Sequence, residues 1–235
     1  MSEVRVRGPR RDVPAYVASP PGDGPWPGVV VLHDVFGMTV DVRHQADWLA
    51  AAGFLALAPD LFSWSAKPIC IWTVLKDWRA QRGRTFDEVD AVRGWLEADG
   101  RCTGKVGVVG FCMTGGFALL CARGHGFAVS ADNYGNLPSN LDDALAGACP
   151  VVASFGARDR SLRGAAARLE RALVVAGVAH DVKEYPDAAH GFMNDHRSVA
   201  WRLMERTGMG GHVEGAAADS RRRIVAFFTE HLAAG

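Results

Sequence analysis

The sequence lacks the features that define several large protein classes. It has no C-x-x-C pair, and its five cysteines (Cys70, Cys102, Cys112, Cys121 and Cys149) are scattered and odd in number. That argues against zinc-ribbon and thioredoxin-like chemistry and fits free thiols in a reducing cytoplasm. There is no run of eighteen apolar residues, so nothing reads as a membrane-spanning helix. The opening stretch, MSEVRVRGPRRDV, has no apolar core of the signal-peptide kind. An excess of one charge is also missing, because Lys+Arg and Asp+Glu both number 26. The basic groups are short: Arg5, Arg7, Arg10 and Arg11 near the start, and Arg221, Arg222 and Arg223 near the end. They read as solvated surface, not as a nucleic-acid patch. No internal repeat or low-complexity linker divides the chain. The expectation is a cytoplasmic protein with no nucleic-acid or membrane partner.

What the chain does have is apolar content, 49% of 235 residues, enough for one sizeable core. Short runs rich in Val, Leu and Ala recur at 27–34, 54–62, 105–111, 127–135, 149–159 and 180–190. The first three are apolar at consecutive positions, the pattern of strands covered on both faces. Segments with helical spacing lie between them. Residues 40–52 put Val40, His44, Trp48 and Ala51 on one face. Residues 85–98 do the same with Phe86, Val89, Val92, Trp95 and Leu96, and 161–176 and 215–233 are further amphipathic candidates. The alternation predicts a single α/β domain over 1–235, a mostly parallel central sheet with helices on both faces. Residues 1–12 read as an N-terminal edge strand or arm.

In such sheets the ligand site lies beyond the carboxyl ends of the strands. After 105–109 comes Gly110-Phe111-Cys112-Met113-Thr114-Gly115-Gly116. A strand that turns sharply into a helix needs small neighbours around the turning residue, the logic of a nucleophile elbow. A cysteine there also faces a helix N-terminus, which favours an anion. Thr114 departs from the elbow pattern, which prefers glycine at that point. Cys102, Cys121 and Cys149 read as buried structural thiols. Asp159 follows the 149–155 run and His190 follows the 180–185 run, so the chain order is nucleophile, acid, histidine. His190 is the candidate base and Asp159 its orienter. Asp187 and His196 are rivals. Asp187 shares a loop with His190, and Asp159 could instead be a helix cap.

Together, VVVLHDVFGM, APDLF, VGVVGFCMTGG, FGARD and AAHGF resemble the dienelactone hydrolases (carboxymethylenebutenolidases), which have the α/β-hydrolase fold and a Cys-Asp-His triad. The resemblance runs from about residue 13 to about residue 233. It implies Cys112, Asp159 and His190 as catalytic residues, and an oxyanion hole from the backbone N–H groups of Val35 and Met113. It also implies Asp34 as the acid that holds the resting thiol, where the family usually has the longer Glu. Of the family's two carboxylate-binding arginines, one falls on Asn194 here. The other lies among Arg79, Arg82 and Arg84. Residues 62–83 would wall the pocket, with Phe36, Trp64, Tyr134 and Phe192 facing it. Trp72 and Trp78 either line that pocket or pack the segment onto the core.

The function expected from this is hydrolysis of a small ester or lactone through an acyl-thioester on Cys112. It needs no metal and no cofactor, and the protein would be a monomer or homodimer. Two other readings are a thiol redox sensor and a non-catalytic binding or interaction protein on a hydrolase scaffold. The sensor reading is weak, because Cys121 lies about two and a half helical turns beyond Cys112 and faces the other way.

Overall fold

The consecutive apolar runs form the middle of one eight-stranded sheet. The computed structural model describes residues 2–196, 199–206 and 210–233. Its strands are β1 (Ser2–Arg7), β2 (Asp12–Ala18), β3 (Trp26–Leu32), β4 (Leu55–Pro59), β5 (Cys102–Phe111), β6 (Val129–Asn133), β7 (Val151–Gly156) and β8 (His180–Tyr185). They lie in the order β1-β2-β4-β3-β5-β6-β7-β8. β1 pairs antiparallel with β2 and β2 antiparallel with β4, and every other pairing is parallel. The segment expected as an edge strand or arm is the edge strand β1, in register with β2 from Ser2 opposite Val17 to Arg7 opposite Asp12.

The helices are α1 (Val40–Ala51), α2 (Lys67–Ala80), α3 (Arg84–Ala98), α4 (Gly115–Cys121), α5 (Leu141–Leu145), α6 (Ala165–Ala176), α7 (Val199–Arg206) and α8 (Glu214–Leu232). Side chains alternate across a strand, so a run such as Val29-Val30-Val31-Leu32 feeds two cores at once. Val29 and Val31 join Leu49 of α1, Leu169 of α6 and Phe228 of α8. Val30 and Leu32 join Val74 of α2 and Val89 and Leu96 of α3. Each such side chain, fully buried, contributes about 1.5–3 kcal/mol. No helix among the described residues is long and apolar enough to cross a membrane.

One helical expectation needs correction. α1 does not bury Val40, His44, Trp48 and Ala51, and Val40 is 66% exposed. It buries Val42, Ala46, Leu49 and Ala50, together with Asp41 and Gln45. The polar pair explains the misreading. Gln45 donates to the Met193 carbonyl at 3.1 Å, and Asp41 accepts from Asn194 and from Asp195 N–H. The inward face is thus part polar and looks like an outward one. In addition, residues 67–80 of the expected pocket wall form the regular helix α2.

Because β3, β5, β6, β7 and β8 are adjacent and parallel, the segments after them converge at one edge of the sheet. Asp34, Cys112, Tyr134, Asp159 and His190 each follow one of these strands.

Candidate active site

The elbow depends on backbone approaching backbone. A Cβ on Gly110 would sit 2.0 Å from the Thr114 carbonyl oxygen, and one on Gly135 would sit 1.9 Å from the Gly116 nitrogen. Cβ-free residues therefore let β5 turn into α4 and let the loop after β6 press on the start of that helix. Cys112 takes φ +57°, a left-handed conformation that costs a non-glycine residue about 1–3 kcal/mol. Thr114 is fully buried and has a clear use. Its hydroxyl donates to the Leu32 carbonyl at 3.0 Å and accepts from Phe111 N–H at 3.2 Å, which ties the elbow to β3. Asp132 braces the neighbouring turn by accepting from Gly135 N–H at 2.8 Å. Burial pushes its carboxyl up to about 7, against that hydrogen bond.

His190 joins the elbow to the acid. Its Nε2 lies 3.0 Å from Cys112 Sγ and its Nδ1 lies 2.6 Å from Asp159 Oδ2. Burial opposes a charge on the ring. The hydrogen bonds to Asp159 and Cys112 outweigh it and push His190 up to about 10. Asp159 is both cap and orienter. Its Oδ1 accepts from the Ser161 N–H at 2.9 Å and the Ser161 hydroxyl at 2.6 Å, while Oδ2 holds His190. Burial raises its carboxyl, but His190 and Ser161 prevail and bring it below the usual range. The rival Asp187 is exposed and pairs with Arg158 at 2.8 Å. Burial pushes Cys102 and Cys121 up, and Cys149 up to about 12.

A family model described as the dienelactone hydrolase family matches residues 13–232. The chain belongs to that family. It is a hydrolase. Relatives include a Salmonella typhimurium protein named "Putative carboxymethylenebutenolidase", 27% identical over 237 residues, covering 94% of this chain and 83% of the relative. A protein of the same name from Azospirillum brasilense is 28% identical and covers 93% of each chain. Among solved structures, a "Putative Dienelactone Hydrolase" from Klebsiella pneumoniae superposes with TM-score 0.80 at 25% identity, covering 97% of this chain and 98% of the other. The dienelactone hydrolase of Anabaena variabilis shares the fold, with TM-score 0.69 at 20% identity over 99% and 98% of the two chains.

The remaining positions expected from the dienelactone hydrolase resemblance divide sharply. Met113 stands at the second position of the 3-10 turn Cys112–Thr114, where backbone N–H groups have no intrahelical acceptor. Val35 is half-buried between Asp34 and Phe36. Asp34, expected to hold the thiol, has other partners. Oδ1 accepts from Phe36 N–H at 2.8 Å, and Oδ2 lies 2.5 Å from His196 Nε2. Of the expected pocket residues, Tyr134 and Phe192 are fully buried. Tyr134 has its ring edge-on to His190 at 5.4 Å and its hydroxyl donates to Asn194 at 2.6 Å. Phe192 packs between Tyr134 and Tyr185. Asn194, in place of a family arginine, in turn donates to Asp41 at 2.6 Å.

The pocket-wall arginines separate too. Arg84 is occupied, stacked over Trp64 at 4.1 Å and paired with Glu88 at 2.8 Å. Arg79 and Arg82 are exposed. Trp78 packs against the core, while Trp72 is 62% exposed. Phe36 is half-buried and packs against His196, with the rings tilted at 50° and their centroids 4.5 Å apart. The two rings border a cavity of about 560 Å³ that is also lined by Thr39, Asp41, His44 and Asp195. The Asp34–His196 pair has no local signature in the sequence, because its members lie 162 positions apart.

Proposed function

We infer that this family member hydrolyses a carboxylic ester or lactone with Cys112 as nucleophile and an acyl-thioester intermediate. The observation that carries the reading is His190, placed between sulfur and carboxylate at 3.0 and 2.6 Å. The thiolate attacks the substrate carbonyl carbon, and the π electrons move onto oxygen. The Val35 and Met113 N–H groups stabilise that oxyanion. Collapse re-forms the carbonyl and expels the alkoxide, which takes the proton of the His190 imidazolium. In the free enzyme Asp159 and Cys112 raise His190 to about 10, so the ring carries this proton at neutral pH before the attack. Neutral His190 then takes a proton from water as the water attacks the thioester. The acid leaves, the thiolate returns, and Asp159 keeps the imidazole in one tautomer throughout. The whole chain acts as one domain, with residues 62–83 as the wall beside the site.

The lactone part of the reading follows the relatives named as carboxymethylenebutenolidases. The test is to mix enzyme and p-nitrophenyl acetate in the millisecond range, quench in acid and map the acylated peptide by mass spectrometry. One acetyl group on the peptide containing Cys112 is the expected result. Acetyl on another residue, or none during turnover, would overturn the mechanism.

A further inference from the structure

The loop after β3 carries the Val35 N–H, and the carbonyl of that peptide is held by two hydrogen bonds. The Asp34 carbonyl accepts from Gly37 N–H at 3.1 Å and from His33 Nδ1 at 2.8 Å. His33 Nε2 accepts from Leu61 N–H at 3.1 Å, which places the ring proton on Nδ1. Burial lowers the His33 pKa and keeps the ring neutral, as that pattern requires. A trans peptide is planar, so fixing the Asp34 carbonyl fixes the Val35 N–H in the opposite direction. On the side-chain side, Asp34 Oδ1 holds Phe36 N–H and Oδ2 holds His196. His196 follows Asn194 and Asp195 on the segment that begins at His190. The pair therefore joins the loop with the oxyanion donor to the loop with the catalytic base. Both side chains are about 95% buried.

We propose that Asp34 and His196 form a charged latch that positions the Val35 N–H relative to His190, and that Asp34 acts on this loop rather than on the Cys112 thiol. The proposal rests on the mechanism inferred above. His196 packs between the rings of Phe36 and Trp201, with centroids 4.5 and 4.9 Å away. The charged groups facing it are Asp34, Asp41 and Asp195. Burial lowers its pKa, but Asp34 and the other two carboxylates outweigh this and raise it above its ordinary value. The sign follows. The latch is complete below the ordinary histidine range and weakens as pH rises through the raised value. Lys67 donates to the Phe36 carbonyl at 2.8 Å on the outer side of the loop and adds a fixed cation there.

Asp34→Asn, His196→Gln and the double variant separate the two roles. Removing one member leaves a buried charge unpaired and can destabilise the fold. The double variant keeps a neutral hydrogen-bonded pair and serves as the folded control. Turnover of p-nitrophenyl acetate and the pH dependence of Cys112 alkylation by iodoacetamide are measured for each. The latch predicts that each single variant lowers kcat by about 10- to 100-fold, part of the loss from removing an oxyanion donor. KM changes far less, and the double variant is no slower than the worse single one. The alkylation profile stays that of wild type in all three. An altered alkylation profile in Asp34→Asn but not in His196→Gln would overturn the proposal and return Asp34 to the thiol. Additive losses in the double variant would also overturn it. Independently of turnover, the His196 ring titration followed by NMR shifts to lower pH in Asp34→Asn if the pair is charged, and stays in place if it is not. Cys112→Ala is run beside them. Full turnover in that variant would refute the cysteine mechanism itself, whatever the latch variants do.

Discussion

The elbow at 110–116 and the segment at 62–83, proposed above as the wall beside the site, are built by different physics. The elbow is set by hard contacts between backbone atoms, at 2.0 Å for a Cβ on Gly110, and by the directed hydrogen bonds of Thr114. The wall is held by apolar packing and by an Arg84 guanidinium over Trp64. The first kind of constraint admits one residue type per position. The second admits many. Chemistry that needs a sulfur held in one place uses the first, and a surface that meets varied acyl groups can be made from the second.

The largest expected effect on the rigid side is on rate. Asp159→Asn removes the charge that orients His190, and kcat falls by roughly 10³- to 10⁴-fold, the scale of a triad that has lost its acid. Steady-state kinetics on p-nitrophenyl acetate measure this. The same variant tests the linkage. His190 is raised to about 10 in the fold, so its proton stabilises the protein below about pH 6.5, and that contribution is lost as pH rises toward 10. Without Asp159, the loss moves to lower pH in a urea-stability profile. Next is Gly110→Ala, which drives a methyl group into the Thr114 carbonyl. Denaturant unfolding should show a loss of about 3 kcal/mol or more.

Thr114→Val keeps the shape but leaves the buried Leu32 carbonyl without its donor. The expected loss is about 1–3 kcal/mol by the same measurement. At the small end, Arg79→Ala and Arg82→Ala on the exposed side of the wall change stability by at most about 0.5 kcal/mol. They leave turnover of an uncharged ester as it was. A drop in kcat/KM confined to anionic esters in either variant would make the wall a charge reader and sharpen its difference from the elbow.

The same division explains what could be read from the residues alone. Glycines around Cys112, together with the order of Cys112, Asp159 and His190 after successive strands, carried the site because few sequences satisfy such constraints by chance. The doubly buried runs carried the sheet for a similar reason. The buried face of α1 is hard to read from sequence because Asp41 and Gln45 point inward to bind the 193–195 backbone and the Asn194 side chain. The contact of the Tyr134 ring with His190 has no local signature either, since 56 positions separate the two residues. The Asp34–His196 contact has no local signature, since it exists only once the loops after β3 and β8 meet. α2 hides its period because Ile69, Trp72 and other large apolar residues stand on its exposed as well as its inner side.

The central claim is that Cys112 is the nucleophile. The most direct measurement is the initial rate of p-nitrophenyl acetate hydrolysis by wild type and by Cys112→Ala at equal concentration of folded protein. With Cys112 as the nucleophile, the wild type turns over and the variant loses about 10³-fold or more. Equal rates in the two proteins would contradict it.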